Sequence, residues 1–236
     1  MSNITTIAGP YFRTSRAVCT PIVFVVDGDV SVRASLEWLI QTSGWRVETF
    51  ASGQEFLARP PASVPSCLVL DVAPPDFTGL DLQKRMAVDR SDMPVIFISA
   101  YGDVPISVQA MKAGAIEFLT KPFHDDALLA AVRDALERSR RALEHAANMK
   151  ALRESYASLT RREREVMLLV VSGLLNKQVG GELGISEITV KAHRGQVMRK
   201  MNADSLPALV NMVARLGLVS ATHWPMFSTR ELTLAG

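Results

Sequence analysis

Ile22-Val23-Phe24-Val25-Val26-Asp27-Gly28-Asp29 is the stretch that decides the fold. Five apolar, mostly β-branched residues in unbroken succession suit a strand buried on both faces, and the aspartates mark its exit into solvent. Downstream, Val32, Leu36, Leu39 and Ile40 repeat at helical spacing until Gly44 stops them. The alternation then continues: strand-like Arg46–Phe50, helix-like 53–58, strand-like Cys67–Leu70 ending in Asp71, helix-like 79–88. Strand-like Val95–Ser99, helix-like 104–113 and strand-like Ile116–Leu119 complete it. Short strands alternating with helices over about a hundred residues predict an α/β domain, a doubly wound five-stranded parallel sheet over 21–125.

In such sheets ligands bind beyond the carboxyl ends of the strands. The residues expected there are Asp27 and Asp29 after the first strand, Asp71 after the third, Ser99 after the fourth and Lys121-Pro122 after the last. Carboxylates with water and phosphate oxygens suit Mg²⁺. A carboxylate can also accept a phosphoryl group while a metal and an ammonium neutralise the developing charge.

From residue 126 the texture changes. Leu128, Val132, Ala135, Ser139, Ala142, Ala146 and Met149 recur at spacings of four and three, and no proline or glycine interrupts the chain from Phe123 to Leu159. This predicts a helical linker over 126–158, whose small-residue seam either pairs with a second copy or is a solvated connector. Thr160-Arg161-Arg162-Glu163 is a capping box that opens a helix running to about Ser172. Asn176 is expected to cap a second helix ended by Gly184, Ser186 a third over 187–201, and Ser205 a fourth through Leu216. Four short helices over 159–216 suit a helix-turn-helix DNA-binding unit.

On the third helix Val190, Val197 and Met201 are expected to face the core, with Lys191, Arg194, Gly195 and Met198 on or near the opposite stripe. Lys191 and Arg194 are the expected groove contacts, because such side chains serve guanine edges and phosphates. Lys177, His193, Arg199 and Lys200 are expected on phosphates, although His193 equally suits a backbone carbonyl. Arg161, Arg162 and Arg164, interleaved with Glu163 and Glu165, read as a salt-bridged solvated face. Gly180-Gly181 inside the scaffold helix predicts a softer helix, since each glycine costs up to about 1 kcal/mol there.

Charge sharpens the division. The 236 residues carry a net charge of only +2, yet 21–125 has eight basic and thirteen acidic groups, net −5, whereas 159–216 has nine basic and five acidic, net +4. Two domains with different partners are expected, flanked by tails at 1–20 and 217–236. The apolar runs are far short of the roughly 20 residues that span a bilayer. The first twenty residues lack an apolar signal-peptide core. Cys19 and Cys67 lie far apart with no CxxC motif, so neither a disulfide framework nor a zinc site is expected, and the cytoplasm is the default location.

The segments VFVVDGDVSVRASL, CLVLD…PPDFTGLDL, PVIFISAYGD and MKAGAIEFLTKPF resemble the receiver domain of two-component response regulators. LTRREREVM…NKQVGGELGISEITVKAHRGQVMRKM resembles the LuxR-type effector domain of the FixJ-like branch. The resemblance implies that Asp71 is the phosphoacceptor and that Asp27, Asp71 and the main-chain carbonyl of Ala73 hold Mg²⁺. Ser99 would hydrogen-bond the phosphoryl group and Lys121 pair with its oxygens across a cis Lys121–Pro122 bond. Phe118 would report the state of Ser99. Implied partners are a sensor histidine kinase, double-stranded promoter DNA, RNA polymerase and a second copy of the chain. That copy would be held through the linker helix or through the 104–125 face that relatives use, and no ordinary enzymatic turnover is implied.

One departure stands out: Gly28 occupies a position that is normally acidic in this family. Losing a carboxylate should weaken Mg²⁺ binding, with Asp29 reaching the metal only through a shifted loop or a water. Weak or slow phosphorylation is expected, which leaves a degenerate receiver controlled by a ligand, a partner or constitutive dimerisation as the rival reading. Asp27-Gly28-Asp29 also has the DxD pattern of haloacid-dehalogenase-type phosphatases, with Asp27 as nucleophile and Asp29 as acid/base, but Ser31 and the missing later acidic pair depart from that pattern.

Overall fold

The structure is a computed structural model that describes residues 20–72, 79–90, 92–100 and 104–218. Ala73 and nearly all of the two expected tails lie outside the described residues. The chain forms two compact units that divide between Glu144 and His145.

In the first unit β1 (Ile22–Val26), β2 (Arg46–Phe50), β3 (Ser66–Asp71), β4 (Val95–Ser99) and β5 (Glu117–Thr120) form one sheet, ordered β2-β1-β3-β4-β5. Every described pairing is parallel. All five residues of β1 are buried, as their unbroken apolar run predicts. Because side chains alternate across a strand, Phe24 and Val26 enter the core on one face with Leu68, Leu70 and Phe97. Val23 and Val25 enter the other with Cys67, Val69, Ile96 and Ile98.

The first face is covered by α2 (Gly53–Ala58), α3 (Gly79–Asp89) and α4 (Val104–Lys112), through Phe56, Leu82, Met86 and Ala110. The second is covered by α1 (Val30–Thr42), through Leu36 and Ile40, and by α5 (Asp125–Ala157). Here the expected boundary at residue 125 is corrected. Leu128, Val132 and Ala135 are buried against the sheet, and the wholly buried Ser139 hydroxyl accepts the Ser66 amide at 3.0 Å. The first half of the small-residue seam is therefore core of the α/β unit, neither a solvated connector nor free to pair with a second copy. Small and branched residues spaced by four and three pack equally well on a sheet, so periodicity alone does not distinguish the two uses.

In the second unit the end of α5 contributes Met149, Leu152 and Tyr156 to a core shared with α6 (Arg161–Val171), α8 (Glu187–Lys200) and α9 (Leu206–Arg215). The Thr160 capping box is formed in both directions: the Glu163 amide donates to the Thr160 hydroxyl at 3.2 Å and the Thr160 amide to the Glu163 carboxylate at 2.7 Å. Ser186 and Ser205 cap α8 and α9 as expected. The cap of α7 (Asn176–Leu183) is corrected by one residue: Leu175 occupies the capping position, and its amide donates to the Gln178 side chain at 2.8 Å. Gly184 closes α7 in the left-handed conformation, φ 63°.

Candidate functional site

The chain leaves β1 toward β2 on one side and β3 toward β4 on the other, which places the switch point, and the ligand crevice, beyond β1 and β3. Asp27, 2 % exposed, follows β1, and Asp71 ends β3. Between their carboxylates stands the Lys121 ammonium, 2.7 Å from Asp27 Oδ2 and 3.2 Å from Asp71 Oδ1. Burial alone would lower the Lys121 pKa, but the hydrogen bond to Asp27 and the charges of Asp71 and Asp27 raise it above its ordinary value. Lys121 is seated by its own backbone: its amide donates at 2.7 Å to the carbonyl of the buried Ser99, at the end of β4. The Lys121–Pro122 bond is cis.

Asp27 Oδ1 accepts the Asp29 amide at 2.8 Å. The Asp29 carboxylate itself caps α1, accepting from the Ser31 amide at 2.7 Å and the Val32 amide at 3.4 Å. The loop through exposed Gly28 is closed by Arg33, which the sequence did not single out. Its guanidinium donates to the carbonyls of Asp27 and Gly28 at 2.7 and 3.1 Å. Asp29 thus serves the helix terminus, and neither the expected contribution to a metal nor the role of a free acid beside Asp27 matches this arrangement.

Among the described residues no cluster of three or more carboxylate, imidazole or thiol groups is poised to hold a metal. Two carboxylates gathered about one cationic position nonetheless fit Mg²⁺, which retains several waters and is commonly bound through one or two carboxylates. That donor set carries less negative charge than it would with a carboxylate in place of Gly28.

Behind the site, Phe118 packs partly buried against the core, its ring 6.4 Å from that of Phe97. Gly79 lies so close to β3 that a side-chain carbon there would stand 2.9 Å from the Asp71 carbonyl oxygen and 2.8 Å from the Phe97 ring. This close approach fixes the backbone from which Asp71 projects.

In the second unit Val190, Val197 and Met201 are buried as expected. Lys191 is exposed and paired with Glu187 at 3.0 Å, and Lys177 and Arg199 are also exposed. His193 is half-buried. Three expectations are corrected. Arg194 is half-buried and donates to Asn176 Oδ1 at 3.2 Å, which ties α8 to α7, so it is not on the outward stripe. Met198 packs with the core. Lys200 donates to the Glu163 carboxylate at 2.7 Å and to the Ser158 carbonyl at 3.2 Å, a structural tie in place of an expected phosphate contact. The hydrogen bond from Lys200 and that from the Thr160 amide hold the Glu163 carboxyl below the ordinary range. Arg161 and Arg162 both pair with Glu165, as the salt-bridged reading expects, but Glu163 is buried and Arg164 lies over the Tyr156 ring, so that part of the cluster is not a solvated face.

The outward face of α8 was only partly anticipated. Ile188, Ala192, Gly195 and Arg199, spaced at i, i+4, i+7 and i+11, lie on one stripe opposite the buried residues, and all four are exposed. Ile188 is 80 % exposed. Its position two residues from Val190, on the far side of the helical period, was the available signal.

Comparison with known proteins bears on both units. The family profile of the response regulator receiver domain matches residues 23–133, and that of the bacterial regulatory proteins of the luxR family matches 157–213. The chain is similar to Nodulation protein W of Bradyrhizobium diazoefficiens, 48 % identical over 202 residues, covering 86 % of this chain and 88 % of that protein. Among solved structures it is similar to the response regulator StyR, with 44 % identity and a TM-score of 0.77, covering 83 % of this chain and 99 % of that one. It is also similar to full-length FixJ from B. japonicum, with 37 % identity and a TM-score of 0.50, covering 84 % and 98 %.

Proposed function

We propose that Asp71 is the phosphoacceptor of this chain, which belongs to the FixJ-like response regulators, transcription regulators that join a receiver domain to a LuxR-type DNA-binding domain. The observation that carries this reading is the Lys121 ammonium lying between the Asp27 and Asp71 carboxylates at the carboxyl edge of the sheet. An Asp71 oxygen attacks the phosphorus of a phosphohistidine on a sensor kinase, the P–N bond breaks, and an acyl phosphate forms. Lys121 pairs with the phosphoryl oxygens, and the Ser99 hydroxyl donates a hydrogen bond to one of them, a shift that Phe118 follows. Asp27 and Asp71, with the Ala73 carbonyl, would hold Mg²⁺, which supplies charge neutralisation at the transferring group. Beside Lys121, a groove of about 740 Å³ between α1 and the start of α5, lined by Trp38, Leu39 and Phe123, gives the kinase an apolar landing surface.

Acetyl phosphate tests the assignment: the chain gains one phosphoryl group, and Asp71→Asn abolishes the gain. A second reading, a receiver controlled chiefly by partner or dimer formation, is favoured by Gly28 and by the engagement of Asp29 in capping. On that reading the oligomeric state and DNA binding are the same with and without acetyl phosphate.

The regulator acts in the cytoplasm as a homodimer on promoter DNA, contacting RNA polymerase from there. A two-fold dimer matches a two-fold symmetric site. With Leu128, Val132 and Ala135 engaged in the receiver core, the 104–125 face is the better dimer surface, since Val108 and Met111 on α4 remain 45 % and 47 % exposed. Lys191, Arg199 and Lys177 are the basic groups offered to the duplex, and His193 flanks them on α8.

A further inference from the structure

We infer that the recognition helix α8 reads the 5-methyl groups of thymine, through Ile188 and Ala192, as the chief base-specific contact of its outward stripe. The inference rests on the DNA-binding reading of this unit and names what that surface selects. An isoleucine that is 80 % exposed, on a helix whose other β-branched aliphatic residues Val190 and Val197 are buried, is not explained by the core. Along the same stripe follow the exposed Ala192 and Gly195. Nothing lies within 4 Å of where a Gly195 side chain would begin, so the bare backbone can approach a groove floor closely.

This strip is apolar, but its surroundings are cationic: Lys191 stands one turn from Ile188 and Arg199 ends the stripe. An apolar strip flanked by cations suits the major groove of a duplex, where the phosphates meet Lys191 and Arg199 and the apolar side chains meet base edges. In that groove the thymine methyl is the apolar group, and Ala-type and other apolar contacts are its ordinary readers. Arg194, the guanidinium best suited by residue type to guanine, is turned toward Asn176. The stripe therefore selects A·T pairs, with thymine facing Ile188.

The test enriches random-sequence duplexes on the full-length protein, with and without acetyl phosphate. Each thymine of the enriched sequence is then replaced by deoxyuridine, which removes only the methyl. The expected result is a loss of about four-fold in affinity for each contacted methyl, and a weaker thymine-over-uracil preference in Ile188→Ser, whose thermal unfolding stays that of the wild type. Equal binding of thymine and uracil duplexes by the wild type overturns the inference while leaving DNA binding intact. Failure to enrich any sequence overturns the DNA-binding reading of α8, and the inference with it.

Discussion

Lys121 and Asp27 are in direct ionic contact, 2.7 Å apart, although 94 positions separate them in the chain. Asp27 is almost wholly buried, so this contact neutralises a carboxylate that otherwise lacks solvent. Replacing Lys121 by Met removes the counter-charge and should cost about 1–3 kcal/mol, less than for a fully buried pair because the lysine is 23 % exposed. Mg²⁺ should recover part of the loss, so added Mg²⁺ raises the Tm of Lys121→Met more than that of the wild type. Equal Tm shifts in thermal melts would count against the shared charge balance.

Gly28→Asp restores an acid beside Asp27. Mg²⁺ affinity, measured by titration calorimetry, should rise by about tenfold, or 1.4 kcal/mol. Unchanged affinity would show that the Arg33 clamp on the Asp27 and Gly28 carbonyls, more than the missing charge, sets the strength of the site.

The two adjacent glycines of α7 should respond oppositely to alanine. A side-chain carbon on Gly180 would stand 2.7 Å from the Ile185 carbonyl oxygen, whereas one on Gly181 meets nothing within 4 Å. Gly180→Ala should destabilise by about 1–3 kcal/mol through overpacking at the turn. Gly181→Ala should stabilise by up to about 1 kcal/mol through helix propensity. Chemical denaturation distinguishes them, and equal signs contradict the geometry.

How much of this was legible beforehand depends on range. The buried run Ile22–Val26 announced the parallel sheet, and Asp71, Ser99 and Lys121 were placed at strand ends because strand ends are local features. The Thr160 box and the Ser186 cap are equally local. Lys200 reaching Glu163, 37 positions away, depends on tertiary placement and was not legible; Arg33 closing the Gly28 loop is local, but no motif announces a side chain that donates to backbone carbonyls. The use of Leu128 through Ser139 was ambiguous because a sheet and a partner helix ask for the same seam. Arg194 differs in kind: residue type suggests a base contact, whereas its place on the helical period turns it toward Asn176.

The Glu163–Lys200 tie carries a pH signature. The Glu163 carboxyl is held below its ordinary value in the folded protein. Its contribution is therefore fully present above the unfolded value of about 4.3 and is lost as pH falls through the folded value. Amide exchange in α6 and α8 should accelerate as pH drops below that range, beyond the intrinsic change, and Glu163→Gln should flatten the dependence. A steeper dependence in Glu163→Gln would contradict the assignment.

The most direct test of the central claim is intact and peptide mass analysis of the wild-type chain after acetyl phosphate, with and without Mg²⁺. A single phosphoryl group is expected on the peptide holding Asp71, dependent on Mg²⁺ and slow to form. No adduct at Asp71, or one on Asp27, would contradict it.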